Sequence, residues 1–388
     1  MGVVKKINFP YFLKSVSPEM SRNKRLVVFF GTDFYNLPLD SNREIYIERT
    51  NQILDYIRRH FKGYQLLYLP HPNEKDELTH LNLKDFELPK EHVIGELFLY
   101  ENANSIEYVF STCSWACGSA YAMGLNAAVF LETFRGAVSE ETIIGYRSYF
   151  FGFPASFFIN SFDQLPQKRP PLSREAELSG QRQITQAIGD SKKIWVLASD
   201  PALALRASII IRLLRAGKPN LKASLLMINH RRWDLVSSQK NLLDVFDEMI
   251  PLPNKKVWYS ARPGKVMLAI KVAHHMRNLS IAPGDVFISF SNLLFEENCI
   301  LSYYPKVRKI LFIESRWYNF IYEGGSAALP QSGFHGSLGT RFFNYILEPI
   351  LGLHGTIFKE YKDGKVINIF RYQAPLSETY DQTFVLMP

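Results

Sequence analysis

Three cysteines in 388 residues, Cys113, Cys117 and Cys299, are too few for a disulfide framework, and their spacing is neither that of a zinc site nor that of a redox CxxC pair. If two of them bond, one is left over, and a reducing cytoplasm suits them best. No apolar run approaches the roughly 18 residues needed to span a bilayer. The opening residues carry the pair Lys5-Lys6 but no following apolar segment and no small-residue cleavage site, so a secretory signal is not expected. Short repeats and low-complexity tracts are also missing. Lysine and arginine come in ones and twos, as at Arg58-Arg59 and Arg231-Arg232. That scatter excludes the basic stripe of a nucleic-acid binder.

What is present is the balance of a folded globular chain: 47% hydrophobic and 21% charged residues. The length is generous for one core and comfortable for two domains. The formal net charge of +8 calls for little beyond solvation. An anionic membrane surface or a phosphorylated ligand are the sharper partners it permits.

Two α/β runs flank a polar, proline-bearing stretch. Residues 1–163 form the first run, 164–183 read as a linker with helical character towards its end, and 184–388 form the second. The first run opens its strand pattern at Arg25 to Gly31. A helical period follows over Ile45 to Phe61, then a strand over Gln65 to Leu69, another over Ile106 to Phe110, and a small-residue helix from Trp115 to Gly124. The second run opens with a strand from Lys193 to Ala198 and a helix over Leu203 to Leu214. Strands are expected again at Ala223 to Ile228, Val286 to Phe290, Lys309 to Ile313 and Phe384 to Pro388. Alternating strands and helices imply parallel sheets covered on both faces. Two such units facing each other would give the two-domain GT-B plan, with an interdomain cleft.

Ligands of open parallel sheets sit outside the carboxyl ends of the strands, and three loops there carry chemistry. In the first, Pro70 and Pro72 flank His71 and restrict its backbone. Held there, the imidazole could neutralise or protonate a leaving phosphate. The same tripeptide is also an ordinary proline-rich turn. In the second loop, Ser111, Thr112 and Ser114 lie between a strand and a helix, where hydroxyls and free N–H groups suit a phosphate. One of them is also simply the cap that any helix takes. In the third, Glu323 stands beside Gly324, Gly325 and Ser326, which let the backbone approach a ligand while the acid serves as a base. A solvated acidic turn has the same composition. Glu314, at the preceding strand's end, is the rival carboxylate.

Taken together, these fragments resemble the motifs of bacterial sialyltransferases and polysialyltransferases. The chain shows an acid-Gly motif in Tyr322 to Ser326, a His-Pro motif in His71-Pro72, and a Ser/Thr motif in Ser111-Thr112. The resemblance implies a GT-B fold of two Rossmann-like domains and inverting transfer from a CMP-sugar, with no metal and no cofactor. It makes Glu323 the base, sets His71, Ser111 and Thr112 on the CMP phosphate, and puts Glu96 on the cytidine ribose. Gly31, Pro72 and Ser114 then belong to the donor site, and Gly324, Gly325 and Ser326 to the acceptor side. Residues 1–163 become the nucleotide domain and 184–388 the acceptor domain. The motif order is the reverse of the families' order, as in a circular permutation, and Gly324 stands where a second acid is common.

The expected partners are a CMP-activated nonulosonic acid, a glycan or glycolipid acceptor, and peripherally the anionic inner face of the cytoplasmic membrane. Kdo, pseudaminic or legionaminic acid would use the same phosphate site. A UDP-sugar transferase or epimerase of GT-B shape is a more distant enzyme reading. A non-catalytic sugar- or phosphate-binding module is the alternative of another class.

Overall fold

The computed structural model describes residues 3–9, 11, 25–32, 43–72, 74, 77–90, 93–170, 174–228, 233, 243–252, 263–290, 294–315, 318, 342, 346–353, 357–362, 365–370 and 380–388. The described residues divide into two compact units. One is drawn from 1–7, 178–314 and 332–386, the other from 8–177, 315–331 and 387–388.

Strand β1 (Val3–Asn8) belongs to the seven-stranded sheet described below, so the chain's first strand joins the second α/β run rather than the rest of 1–163. The other unit is built on β2 (Leu26–Phe30), α1 (Arg43–His60), β3 (Gln65–Leu69), β4 (Phe86–Glu87), α2 (Gly95–Asn102), β5 (Ile106–Ser111), α3 (Trp115–Ala122), β6 (Ala127–Val129) and α4 (Glu140–Ser148). Its five strands run in the order β4-β3-β2-β5-β6, and every neighbouring pair is parallel. Strand β2 is apolar and buried at all five positions, which requires cover on both faces of the sheet. Helix α1 supplies an amphipathic face through Tyr46, Thr50, Ile53, Leu54 and Ile57. Glu44 in its first turn and Arg58, Arg59 and His60 in its last complement the helix dipole. Aromatic rings interlock beneath: Tyr56 with Phe130, Phe61 with Phe110, and Phe110 with Phe130, at centroid distances of 5.2, 5.5 and 5.7 Å. The opening of the 164–183 stretch is bonded to this unit. The Gln164 carbonyl accepts from Tyr56 Oη at 2.7 Å, and the Arg169 N–H donates to Asn126 Oδ1 at 2.9 Å.

The stretch ends in helix α5 (Arg174–Ile188). After it come β7 (Lys193–Ala198), α6 (Pro201–Arg215), β8 (Lys222–Met227), β9 (Glu248–Pro251), α7 (Pro263–Arg277), β10 (Val286–Ser289), α8 (Phe295–Tyr303), β11 (Arg308–Glu314), the short α9 (Glu348–Leu351), an antiparallel hairpin β12 (Ile357–Lys362) and β13 (Lys365–Phe370), and β14 (Gln382–Met387). The seven-stranded order is β1-β14-β11-β10-β7-β8-β9, and the six strands from β14 to β9 pair in parallel. Asp200 caps α6 by accepting from the Leu203 N–H at 3.1 Å, with Pro201 in the first turn, where its missing N–H costs nothing. Leu226, Phe287, Val272, Met276, Phe295 and Ile300 close the core where α7 and α8 cover the sheet.

Counted in chain order within its unit, the parallel part of the larger sheet reads 6-5-4-1-2-3. The smaller reads 3-2-1-4-5. Both follow the Rossmann strand order, the smaller one a strand short.

Candidate functional site at the carboxyl edge of the five-stranded sheet

In a sheet of this order the chain reverses direction of growth between its first and fourth strands, and their carboxyl ends flank the crevice where ligands bind. Here those strands are β2 and β5. Phe30 at the end of β2 pairs with Leu69 at the end of β3 on one side and with Ser111 at the end of β5 on the other. Three loops therefore leave the same edge at the same level, carrying Gly31 and Thr32, His71 and Pro72, and Thr112 to Ser114.

The His-Pro loop is fixed by a carboxylate. Glu74 is 3% exposed. Its Oε2 accepts from the His71 N–H at 3.1 Å, its Oε1 accepts from Tyr68 Oη at 2.5 Å, and its own N–H donates to the His71 carbonyl at 2.8 Å. The last bond closes a turn from residue 71 to residue 74, with Pro72 in the second position that turns favour. Gly31 makes room for this arrangement: a Cβ there would lie 2.0 Å from Glu74 Oε2 and 2.9 Å from Tyr68 Oη. His71 is half-buried and Pro72 exposed.

On β5, Ser111 and Thr112 are fully buried. Ser111 Oγ accepts from the Ser114 N–H at 3.0 Å, and Ser114 Oγ caps α3 by accepting from the Ala116 N–H at 3.3 Å. Both serines thus act in shaping the strand-to-helix turn. Thr112 differs. Its Oγ1 is buried with no hydrogen-bond partner among the described residues. An unmet buried hydroxyl is costly unless something else satisfies it. Cys117, one turn into α3, is a packing residue. Burial pushes its thiol up to about 12, which leaves no thiolate near neutral pH.

Helix α2 brings in Glu96. A Cβ on Gly95 would lie 2.8 Å from the Phe30 ring, so the start of α2 abuts the end of β2. Glu96 Oε1 accepts from Ser119 Oγ on α3 at 3.3 Å. Gly31, His71, Pro72, Glu96, Ser111, Thr112 and Ser114 are thereby drawn to one edge of one sheet. Residues bearing hydroxyls, an imidazole and a carboxylate are placed along that edge beside a helix N-terminus, residue types suited to an anion and a hydroxyl-bearing group.

Glu323, Gly324, Gly325 and Ser326 lie outside the described residues. The rival Glu314 ends β11 and is ion-paired with Arg206 of α6 at 2.6 Å, with side chains only 14% and 8% exposed. Sequence reading missed Glu74 and Tyr68 as parts of the site. The signal was the three-residue step from His71 to Glu74 behind a proline, the spacing of a closed turn.

No protein-family model matches the chain, and no curated protein matches its sequence. Among the described residues, no helix is long and apolar enough to cross a membrane.

Proposed function

We propose that the chain is an inverting, metal-independent glycosyltransferase that moves sialic acid from CMP-sialic acid to a glycan or glycolipid acceptor. In this reading the fold is GT-B and the five-stranded unit is its donor half. One observation carries it. Three neighbouring parallel strands end level at the switch point and deliver Gly31, His71 and Thr112 together, and Thr112 brings a buried hydroxyl with no partner among the described residues. A donor phosphate would satisfy that hydroxyl and lie against the start of α3.

In the reaction, the bond from the anomeric carbon to the phosphate oxygen breaks and its electron pair leaves with CMP. The acceptor oxygen bonds to the anomeric carbon from the opposite face and gives its proton to Glu323. His71, Thr112 and the N-terminus of α3 stabilise the charge that develops on the phosphate. Glu96 holds the ribose. The net positive charge favours a peripheral stay at the anionic inner face of the cytoplasmic membrane, where glycolipid acceptors would be met.

The test has two parts. Thermal stabilisation by CMP is expected to exceed that by UDP or GDP, since a ligand that binds only the folded state raises its stability. Release of CMP from a panel of CMP-activated sialic, Kdo, pseudaminic and legionaminic acids then identifies the sugar. Binding of CMP without release from any donor would leave a nucleotide-binding module in place of an enzyme. Absence of any nucleotide effect would overturn the donor site itself.

A further inference from the structure

The His-Pro loop holds a buried acid that sequence analysis gave no role, and the bonds around that acid assign one. Both carboxylate oxygens of Glu74 face donors, Oε1 the Tyr68 hydroxyl at 2.5 Å and Oε2 the His71 backbone N–H at 3.1 Å. A group that only accepts fits this place. A glutamine would set an NH₂ donor against one of the two donors. The third contact is steric, since Oε2 occupies space that any residue but glycine at position 31 would claim. The acid therefore ties together the ends of two adjacent strands: β3 through Tyr68, and the turn after β2 through Gly31. It holds the His71 main chain from both sides, at the N–H through its carboxylate and at the carbonyl through its own N–H. A solvated loop acid would be exposed and would have none of these contacts. Glu74 is 3% exposed.

We propose that Glu74, through Tyr68 and the space left at Gly31, is a positioning residue that fixes the backbone of His71 and so sets where the imidazole meets the donor phosphate. The inference rests on the proposed role of His71 as a phosphate ligand. The clasp itself has a readout that needs no nucleotide: the His71 amide, bonded to the carboxylate, exchanges slowly with solvent deuterium while the clasp is closed.

The experiment compares wild type, Glu74→Gln, Tyr68→Phe, His71→Ala and the double variant His71→Ala/Glu74→Gln, using amide exchange without ligand and CMP affinity by calorimetry. Tyr68→Phe removes one hydroxyl only and keeps the test open if Glu74→Gln fails to fold. The expected result is His71 amide exchange at least about tenfold faster in both clasp variants, and CMP affinity about tenfold weaker. In the His71→Ala background, Glu74→Gln should cause no further loss of affinity, because a positioning residue acts only through the residue it positions. Losses that simply add in the double variant would overturn the positioning role. Unchanged amide exchange in both Glu74→Gln and Tyr68→Phe would overturn the clasp. Wild-type protein that binds no CMP defeats the functional reading instead, and amide exchange then decides the clasp alone.

Discussion

Gly31 and Glu74 share one space: the carboxylate Oε2 lies 2.0 Å from where a Cβ on residue 31 would be. Gly31→Ala must therefore move either the end of β2 or the acid. Overpacking a filled interior costs about 1–3 kcal/mol. The expected outcome is a lower melting temperature together with faster exchange of the His71 amide. The same substitution at Gly284, where a Cβ meets nothing within 4 Å and the backbone is not left-handed, serves as a control for the steric part. A Gly31→Ala protein as stable as wild type, with an unchanged His71 amide, would show that the loop yields freely.

Thr112 and Ser111 stand side by side yet should respond in opposite ways. Ser111 Oγ accepts from the Ser114 N–H, so Ser111→Ala removes a buried bond and should cost about 1 kcal/mol of stability. Thr112 Oγ1 has no partner among the described residues, so Thr112→Val should leave stability unchanged or raise it. If the hydroxyl serves a phosphate, Thr112→Val should still weaken CMP by about tenfold, and His71→Ala should weaken it too. Equal CMP affinity in Thr112→Val and wild type would remove Thr112 from the site.

The strands that position this site were legible because they are central. Leu26 to Phe30 and Gln65 to Leu69 are largely apolar runs buried on both faces, as Lys193 to Ala198 is in the larger sheet, and such runs announce themselves. The strands that escaped are sheet edges and the two strands of the separate hairpin β12-β13. β4 and β6, two and three residues long, bound the smaller sheet, while the largely exposed β1 and β9 bound the larger. Short or half-solvated strands leave no continuous apolar signal, and Lys5 and Lys6 on β1 are the sort of charges that protect an edge. Site residues followed the same division. Among the candidate residues, His71 and Thr112 follow central strands and Ser111 ends one, which is why they stand out in the sequence. Glu74 does not, because an acid among Pro72, Asn73 and Lys75 looks solvated until Tyr68 and Gly31, distant in sequence or in role, close over it.

Stability should fall as pH rises through the neutral range, and Glu297 is the cause. This carboxyl sits at the start of α8 and accepts from Tyr380 Oη. Burial pushes it up to about 8, against the opposing pull of hydrogen bonds from Ser289, Tyr380 and the Leu294 N–H. A raised carboxyl pKa means that the folded protein holds a proton which the unfolded chain has released. Its favourable contribution is complete below pH 4.5, declines between 4.5 and about 8, and is lost above that. Glu297→Gln keeps an acceptor for Tyr380 and has no proton to lose. It should flatten the pH dependence of urea unfolding over this window and be the more stable protein at pH 8. A variant with the wild-type slope would assign the dependence to other groups.

If the proposed transfer reaction holds, separating turnover from folding decides between Glu323 and Glu314 as its base. Glu314 is held by Arg206 at 2.6 Å in a largely buried pair. Acting as a base would require it to exchange that cation for an acceptor proton. Glu314→Gln also removes the carboxylate from this largely buried ion pair, and breaking a buried pair costs about 3–5 kcal/mol. Its expected signature is a large fall in unfolding midpoint, with turnover per folded molecule nearly kept. Glu323, in the motif Tyr322 to Ser326, should behave in the opposite manner. Glu323→Gln is expected to lower kcat by ~10²–10⁴ with little change in CMP affinity or melting temperature. The two variants are measured side by side, with the stoichiometry of CMP binding reporting the fraction correctly folded. Near-normal kcat in Glu323→Gln together with collapse in well-folded Glu314→Gln would transfer the base to the end of β11. In that case the Arg206 pair would have to open during turnover.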